Sequence, residues 1–270
     1  MDVAPHSSVA VIIPCFEQGR YLESAVRSAL DQSKRPYEIL VIDDGGSEDL
    51  QSIVGKFSQA RLLRQGNRGL AAARNLGLRT ATSDKLIFLD ADDQLLPNAI
   101  SAGLSCFADH GGAAFVYGGF QEVRADKSKT RFVDMRDRRD LLRCNWVAMI
   151  ATAMFDRKKL LEAGGFDQTL GMCEDWDAYL RLSRDHGFAS HPEIVAIYHK
   201  HGSNMSDDVP QLVRWIDEVR AREMQRGLSR SERRAWRQGA HVRDYFYGAA
   251  RERSLLERAQ GKLSRLLLGL

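Results

Sequence analysis

Short, continuous apolar runs alternate along this chain with longer stretches in which apolar residues recur every three or four positions. Residues 8–15 ("SVAVIIPC") form a β-branched run closed by Pro14, the pattern of a buried strand. In "YLESAVRSALDQS" the apolar positions fall at Leu22, Ala25, Val26, Ala29 and Leu30, which is helical spacing. "YEILVIDD" (37–44) reads as a second strand, and "GGSEDLQSIVGKF" as a helix with Ser47 in the cap position. A short third strand ("ARLLRQ") precedes an Ala- and Leu-rich helix ("NRGLAAARNLGLRTA") and a strand over 85–89. Pro97 suits the start of the following helix, which runs to about Phe107.

After "AAFVYGGFQEV", residues 124–143 are charge-rich and weakly periodic, a pattern that predicts a mobile connection between two halves. The second half holds a strand-to-helix pattern ("TAMFDRKKLLEAGGF"), a helix ("CEDWDAYLRLSRDHG") and the run "EIVAIYHKHGSNMS". From Val209 onward the pattern is helical and polar, and no internal repeat is visible. Strands alternating with helices imply right-handed βαβ units, hence an α/β fold with a mostly parallel sheet.

With 270 residues and a hydrophobic fraction of 44%, the chain can bury a substantial core. No apolar run reaches the length of a membrane span, and "MDVAPHSS" has neither the basic nor the apolar region of a secretory signal. Cys15, Cys106, Cys144 and Cys173 form no CxxC pair, which points to reduced thiols rather than structural zinc. A cytoplasmic protein is therefore expected. The formal charge of +3 is unevenly spread: residues 211–270 carry 14 basic and 7 acidic side chains, leaving 25 and 29 for the rest. A basic tail on an acidic body suggests contact with a lipid surface, a phosphorylated lipid acceptor or another subunit; a solvated helical face is the plainer alternative.

Chemistry gathers where the predicted strands end. Cys15-Phe16-Glu17, Asp43-Asp44-Gly45 and Asp90-Ala91-Asp92-Asp93 all follow apolar runs, and ligands of open α/β sheets bind beyond the carboxyl ends of strands. A single acid there is usually a turn or cap residue; three acidic ends on one edge indicate a site. Carboxylates without nitrogen or sulfur neighbours favour hard cations such as Mg²⁺, which binds one or two of them together with phosphate oxygens. There is no GxxxxGK[ST], GxGxxG or HExxH motif.

The ordered set "VAVIIPCFEQGRYLESAVRSALDQS", "YEILVIDDGGSED", "GNRGLAAARNLGL", "FLDADDQLLP", "GGFDQTLGMCEDWDAYLRL" and "YHKHGSNMS" resembles the successive motifs of family 2 glycosyltransferases, over roughly residues 8–206. The resemblance implies the GT-A fold, a Rossmann-like sheet flanked by helices, and inverting transfer from a nucleotide-sugar donor, with UDP-sugars favoured. It implies a catalytic domain over 1–206, with a nucleotide-binding half at about 1–123 and an acceptor half at about 144–206. A basic helical extension then covers 207–270. In the donor half, Pro14, Phe16 and Glu17 would shape the nucleoside pocket, Asp44 would accept the base N3–H, and Asn67 and Arg74 would line the same pocket. Asp90-Ala91-Asp92 matches the DxD motif, with Asp90 near the ribose and Asp92 the principal ligand of Mn²⁺ or Mg²⁺. Asp93 would cap the next helix. Glu174-Asp175 matches the "ED" pair whose Asp is the base, and His201 would complete the metal site or touch the diphosphate.

The family's tight "DDGS" reads "DDGGSED" here, and His199 stands where many relatives carry Arg. Trp146 and Trp176 suit either an acceptor surface or the core. The implied partners are a nucleotide-sugar donor and a glycan or lipid-linked acceptor, without nucleic acid. The "KLSRLLLGL" ending suits peripheral contact with the inner face of a membrane. Two other readings are a non-catalytic nucleotide-sugar binding protein of the same fold and a DxDx[TV] phosphatase. The phosphatase motif lacks its Thr or Val here, because Gln94 occupies the position.

Overall fold

The computed structural model describes residues 7–125, 127–202 and 204–247. Its elements, in order, are β1 (Val9–Cys15), α1 (Gly19–Leu30), β2 (Glu38–Asp43), α2 (Leu50–Val54), β3 (Ala60–Arg64), α3 (Leu70–Thr80), β4 (Lys85–Phe88), β5 (Gln94–Leu95) and α4 (Ala99–Asp109). There follow β6 (Ala113–Arg124), β7 (Lys127–Arg131), α5 (Arg138–Arg143), β8 (Ala153–Asp156), α6 (Arg157–Glu162), α7 (Glu174–Asp185), β9 (Gly187–His199), α8 (Val209–Gln225) and α9 (Arg230–Tyr247).

One sheet runs in the order β3-β2-β1-β4-β8-β6-β9-β5, with β7 paired to β6. The first four strands in that order are parallel, with Ile12 of β1 between Leu40 of β2 and Phe88 of β4. β1 is buried along its whole length because it is flanked by strands on both edges and covered on both faces. Alternation sorts its side chains: Ala10 and Ile12 join one apolar cluster with Ala73 and Leu78 of α3, whereas Val11 and Ile13 join another with Leu22 and Val26 of α1. Helices on both faces give the doubly wound arrangement, and the strand ends of the parallel part open on one edge.

The second half enters the same sheet. β8 lies antiparallel between β4 and β6, so residues from both halves build one continuous surface. Residues 124–143 depart from the expected connection: β7 extends β6 as a hairpin and α5 follows. The sequence "KSKTR" hid this strand because all five of its side chains are exposed, so no buried face imposes an apolar alternation. Ser47 is likewise not a helix cap; Asp49 takes that place, accepting from Ser52 N at 3.1 Å. Pro97 precedes the helix it was expected to start, since α4 begins at Ala99 behind Asn98.

α8 and α9 belong to the body of the fold. Arg138 of α5 pairs with Glu223 of α8 and Glu232 of α9, and Arg226 reaches Asp177 of α7 at 2.7 Å. Both Glu223 and Asp177 are fully buried, so these arginines neutralise charges that burial alone would make costly. Arg222 and Arg243 pair with Asp167 and Asp217. Among the described residues of this region, Arg222, Arg226 and Arg243 are thus matched by acids within the chain. No helix among the described residues is long and apolar enough to cross a membrane. The "KLSRLLLGL" cluster and residues 1–6 lie outside the described residues.

Candidate functional site

Three parallel strands deliver their C-terminal residues to one edge, and each end is fixed by a local device. After β1 the chain turns at Glu17, whose φ of +52° is uncommon for a residue with a side chain. Its carboxylate accepts from Ser47 N at 2.7 Å, so the first strand end is tied to the second. After β2, Gly45 has φ +80°, and a Cβ there would lie 2.6 Å from Asn67 N. The glycine is therefore required both by the left-handed backbone and by the close approach of the 65–69 loop.

Asp44 fastens that loop. Its carboxylate accepts from Gln65 Nε2 at 2.7 Å, Arg68 N at 2.9 Å and Gly69 N at 2.8 Å, and the residue is only 4% exposed. Asp44, expected to accept a base N3–H, thus already accepts three internal donors, two on Oδ1 and one on Oδ2. Phe16 (45% exposed), Glu17 and Asn67 remain open at this edge. Pro14 and Ala91 are buried and offer no surface to a ligand; they fix the backbone on either side of the cleft.

Arg74 departs most from expectation. It does not line an open pocket: it is 2% exposed, and its guanidinium joins the two acidic motifs. Nη2 donates to Asp90 Oδ1 at 2.7 Å and Nη1 to Glu174 Oε1. Burial opposes the charge, but Asp90, Glu174 and Asp175 outweigh it and hold the guanidinium above its usual range. One cation thereby connects residues 16 and 100 positions away in sequence.

Glu174 and Asp175 open α7 behind Cys173, which sits at φ +63°. Burial raises both carboxyls above their ordinary values; Arg74 pulls each down, Asp90 pushes both up, and Asp175 adds to the rise at Glu174. Glu174 is enclosed against Arg74, whereas Asp175 is half-buried. Asp175 Oδ1 accepts from Trp176 N at 2.7 Å and Oδ2 from Asn145 Nδ2 at 3.1 Å. A carboxylate that is half-buried and has a raised pKa has the properties of a general base.

Asp92, two residues beyond Asp90, has partners of its own. Its Oδ2 is 2.8 Å from His201 Nε2 and accepts from Gln18 Nε2 at 3.2 Å. Tyr21 of α1 stacks on the His201 ring with centroids 5.2 Å apart, and Asn204 Oδ1 accepts from His201 N. Arg20, Tyr21, Asp92, His199, Lys200 and His201 line a cavity of about 390 Å³. Among the described residues no three His, Cys, Asp or Glu side chains converge as a complete metal cage. One carboxylate oxygen and one imidazole nitrogen at the mouth of a cavity nonetheless fit a divalent ion that takes its other ligands from phosphate oxygens.

Asp93 is not a helix cap. It is buried, accepts from His199 N at 3.0 Å, and is pushed well above its ordinary pKa by burial and by Asp90 and Asp92. Its role is to join the β4 end to the end of β9. Trp176 is core, with Nε1 donating to Leu141 O. Trp146 lines a second cavity of about 500 Å³ with Phe120, Lys129, Asn145, Tyr245 and Phe246. Gln18, Tyr21 and Asn145 escaped the sequence reading. Each acts through a long-range contact, and neither charge nor local periodicity marks it.

Residues 10–172 match the family model described as Glycosyl transferase family 2. An uncharacterized protein of Mycobacterium tuberculosis is 32% identical over 198 residues, which cover 64% of this chain and 61% of the relative. Among solved structures, S. aureus TarS residues 1–349 in complex with UDP-GlcNAc superposes with a TM-score of 0.73 at 14% identity, covering 94% of this chain and 78% of TarS. The mannosyltransferase PcManGT from Pyrobaculum calidifontis, in complex with GDP-Man and Mn²⁺, gives 0.65 at 18% identity, covering 100% of this chain and 84% of that one. At these identities the structural likeness establishes the fold.

Proposed function

Because the chain belongs to glycosyl transferase family 2, we propose that it transfers a sugar, with inversion, from a nucleoside-diphosphate sugar to a hydroxyl of a glycan or lipid-linked acceptor. The observation that carries this reading is the Arg74 bridge, which holds Asp90 at 2.7 Å and Glu174 beside it. That bridge brings the acids at the β4 end beside those at the start of α7.

In this reading Asp175 Oδ2 takes the proton of the acceptor hydroxyl. The acceptor oxygen forms a bond to C1 of the donor while the bond from C1 to the diphosphate oxygen breaks on the opposite face. The nucleoside diphosphate leaves with that electron pair. Glu174 acts through Arg74 and positions it, rather than touching substrate. Asp92 and His201 would hold a divalent ion, Mn²⁺ or Mg²⁺, which when bound supplies charge stabilisation to the leaving diphosphate. Phe16, Glu17 and Asn67 offer exposed surface to the nucleoside. Asp44 Oδ2 accepts one internal donor, Gly69 N, and would take the base N3–H as a second, which suits uracil. UDP-GlcNAc and GDP-Man, the donors found with the two structural neighbours, are both used as probes.

The test is release of nucleoside diphosphate from these donors with Mn²⁺, alongside donor binding by thermal shift. Asp175→Asn abolishes release and leaves binding within a few-fold. Donor binding without turnover in the native protein would instead favour a binding protein of the same fold, and release undiminished in Asp175→Asn would remove Asp175 from the mechanism.

A further inference from the structure

The loop between α5 and β8 carries Asn145, whose side chain is the neutral donor to Asp175. Its Nδ2 donates to Asp175 Oδ2 at 3.1 Å, and its Oδ1 lies in a long contact, 3.5 Å, with Ala148 N. Ala148 has φ +57° and Cys173, just before the acids, φ +63°. Two loops thus hold uncommon backbone conformations where they meet, and such conformations persist when the surroundings over-determine them. Buried Val147, Met149 and Ile150 anchor the loop behind Asn145. Asp175 Oδ1 is already engaged by its own helix through Trp176 N, so Asn145 governs the other oxygen. Asn145 also lines the aromatic cavity of about 500 Å³.

We propose that Asn145 is a positioning residue for Asp175: it holds Oδ2 at the rim of the aromatic cavity, aimed at an acceptor hydroxyl entering from that side. The proposal rests on the reading of Asp175 as the general base. The charged and titratable groups facing Asp175 are Arg74 from α3, Asp90 beyond β4, Glu174 and Tyr179 on α7, and Cys173 before it. Arg74 directs Nη2 to Asp90 and Nη1 to Glu174, while its buried Nε has no hydrogen-bond partner. A second cation at position 145 would depress the basicity of the carboxylate, whereas a neutral amide orients it at smaller cost to basicity.

The experiment follows the Asp175 carboxyl directly in the full chain, by carbon-13 NMR titration of aspartate-labelled protein, its resonance identified by loss in Asp175→Asn. Removing a hydrogen bond to the charged form raises the midpoint. In Asn145→Ala the midpoint moves up by about one pH unit, and in Asn145→Asp, where a like charge replaces the donor, it moves further. The acid limb of donor turnover shifts by the same amount. A loop with a merely structural role would lower the melting temperature and leave the midpoint in place. Midpoints unchanged from the native protein overturn the proposal, and Asn145→Asp, which keeps the shape, decides the matter if Asn145→Ala does not fold. Absence of turnover in the native protein would overturn the glycosyl-transfer reading, while the titration would still decide the role of Asn145.

Discussion

Replacing Arg74 by methionine removes one charge from a site where two carboxylates depend on it, and the structure sets the size of the effect. The Arg74 side chain is 3% exposed and that of Glu174 6%, so their pairing takes place out of water; the Asp90 side chain is 34% exposed and can rehydrate. Breaking a buried pair by deleting one partner costs about 3–5 kcal/mol. The contact to half-exposed Asp90 adds at most about 1 kcal/mol. A loss of roughly 3–6 kcal/mol is a large share of the 5–15 kcal/mol typical of a folded domain. The sign with pH follows from Glu174. Burial raises its pKa and Arg74 lowers it, so without Arg74 it rises further above the unfolded value. The native state of the variant then holds the proton more tightly, and stability is retained below the unfolded pKa and lost as pH rises through the folded one. The deficit is therefore smallest below the ordinary value of 4.5 and grows as pH rises above it. Urea unfolding monitored by tryptophan fluorescence at several pH values measures it, and Arg74→Met/Glu174→Gln should recover most of the loss. A deficit below about 1 kcal/mol at neutral pH, or a double variant no more stable than the single one, would refute the bridge as a buried clamp.

Three other outcomes are expected. Asp92→Ala weakens donor binding in the presence of Mn²⁺ at least about tenfold, about 1.4 kcal/mol, and abolishes the additional stabilisation that Mn²⁺ gives to a bound donor; equal thermal shifts with and without the substitution would detach Asp92 from the cation. Gly45→Ala costs about 1–3 kcal/mol, since it places a side chain at φ +80° against Asn67 N, and the loss is read as a lower urea midpoint at unchanged slope. Glu38 accepts hydrogen bonds from the backbone and side chains of Thr82 and Ser83; burial raises its pKa, but those bonds outweigh it and hold the carboxyl below its ordinary 4.5. Its stabilisation is therefore present above pH 4.5 and lost as pH falls through the lower folded value. Stability curves of Glu38→Gln and the native protein accordingly converge in acid and diverge above that range; parallel curves would show that Glu38 contributes nothing through its charge.

The periodicity of the chain was sufficient to place β1, β2, β4, α1 and α3, because each buries a continuous run or a regular stripe and burial leaves its mark in the choice of side chains. The same logic placed the acids at strand ends, since the edge of a parallel sheet is where a chain must leave the core. β7 was illegible for the converse reason: its five side chains are exposed, and only pairing with β6 makes it a strand. Asp44 and Asp93 were visible as acids, yet their partners at Arg68 N, Gly69 N and His199 N are set by where loops distant in sequence return. The sequence therefore determined which residue types reach the cleft, whereas the tertiary structure decided which are spent on holding it together and which face outward. Arg74 illustrates the difference: an arginine on an Ala-rich helix reads as a ligand contact until its neighbours prove to be Asp90 and Glu174. A charge buried among charges is defined by its surroundings, and no local pattern records surroundings assembled from residues as far as 100 positions apart.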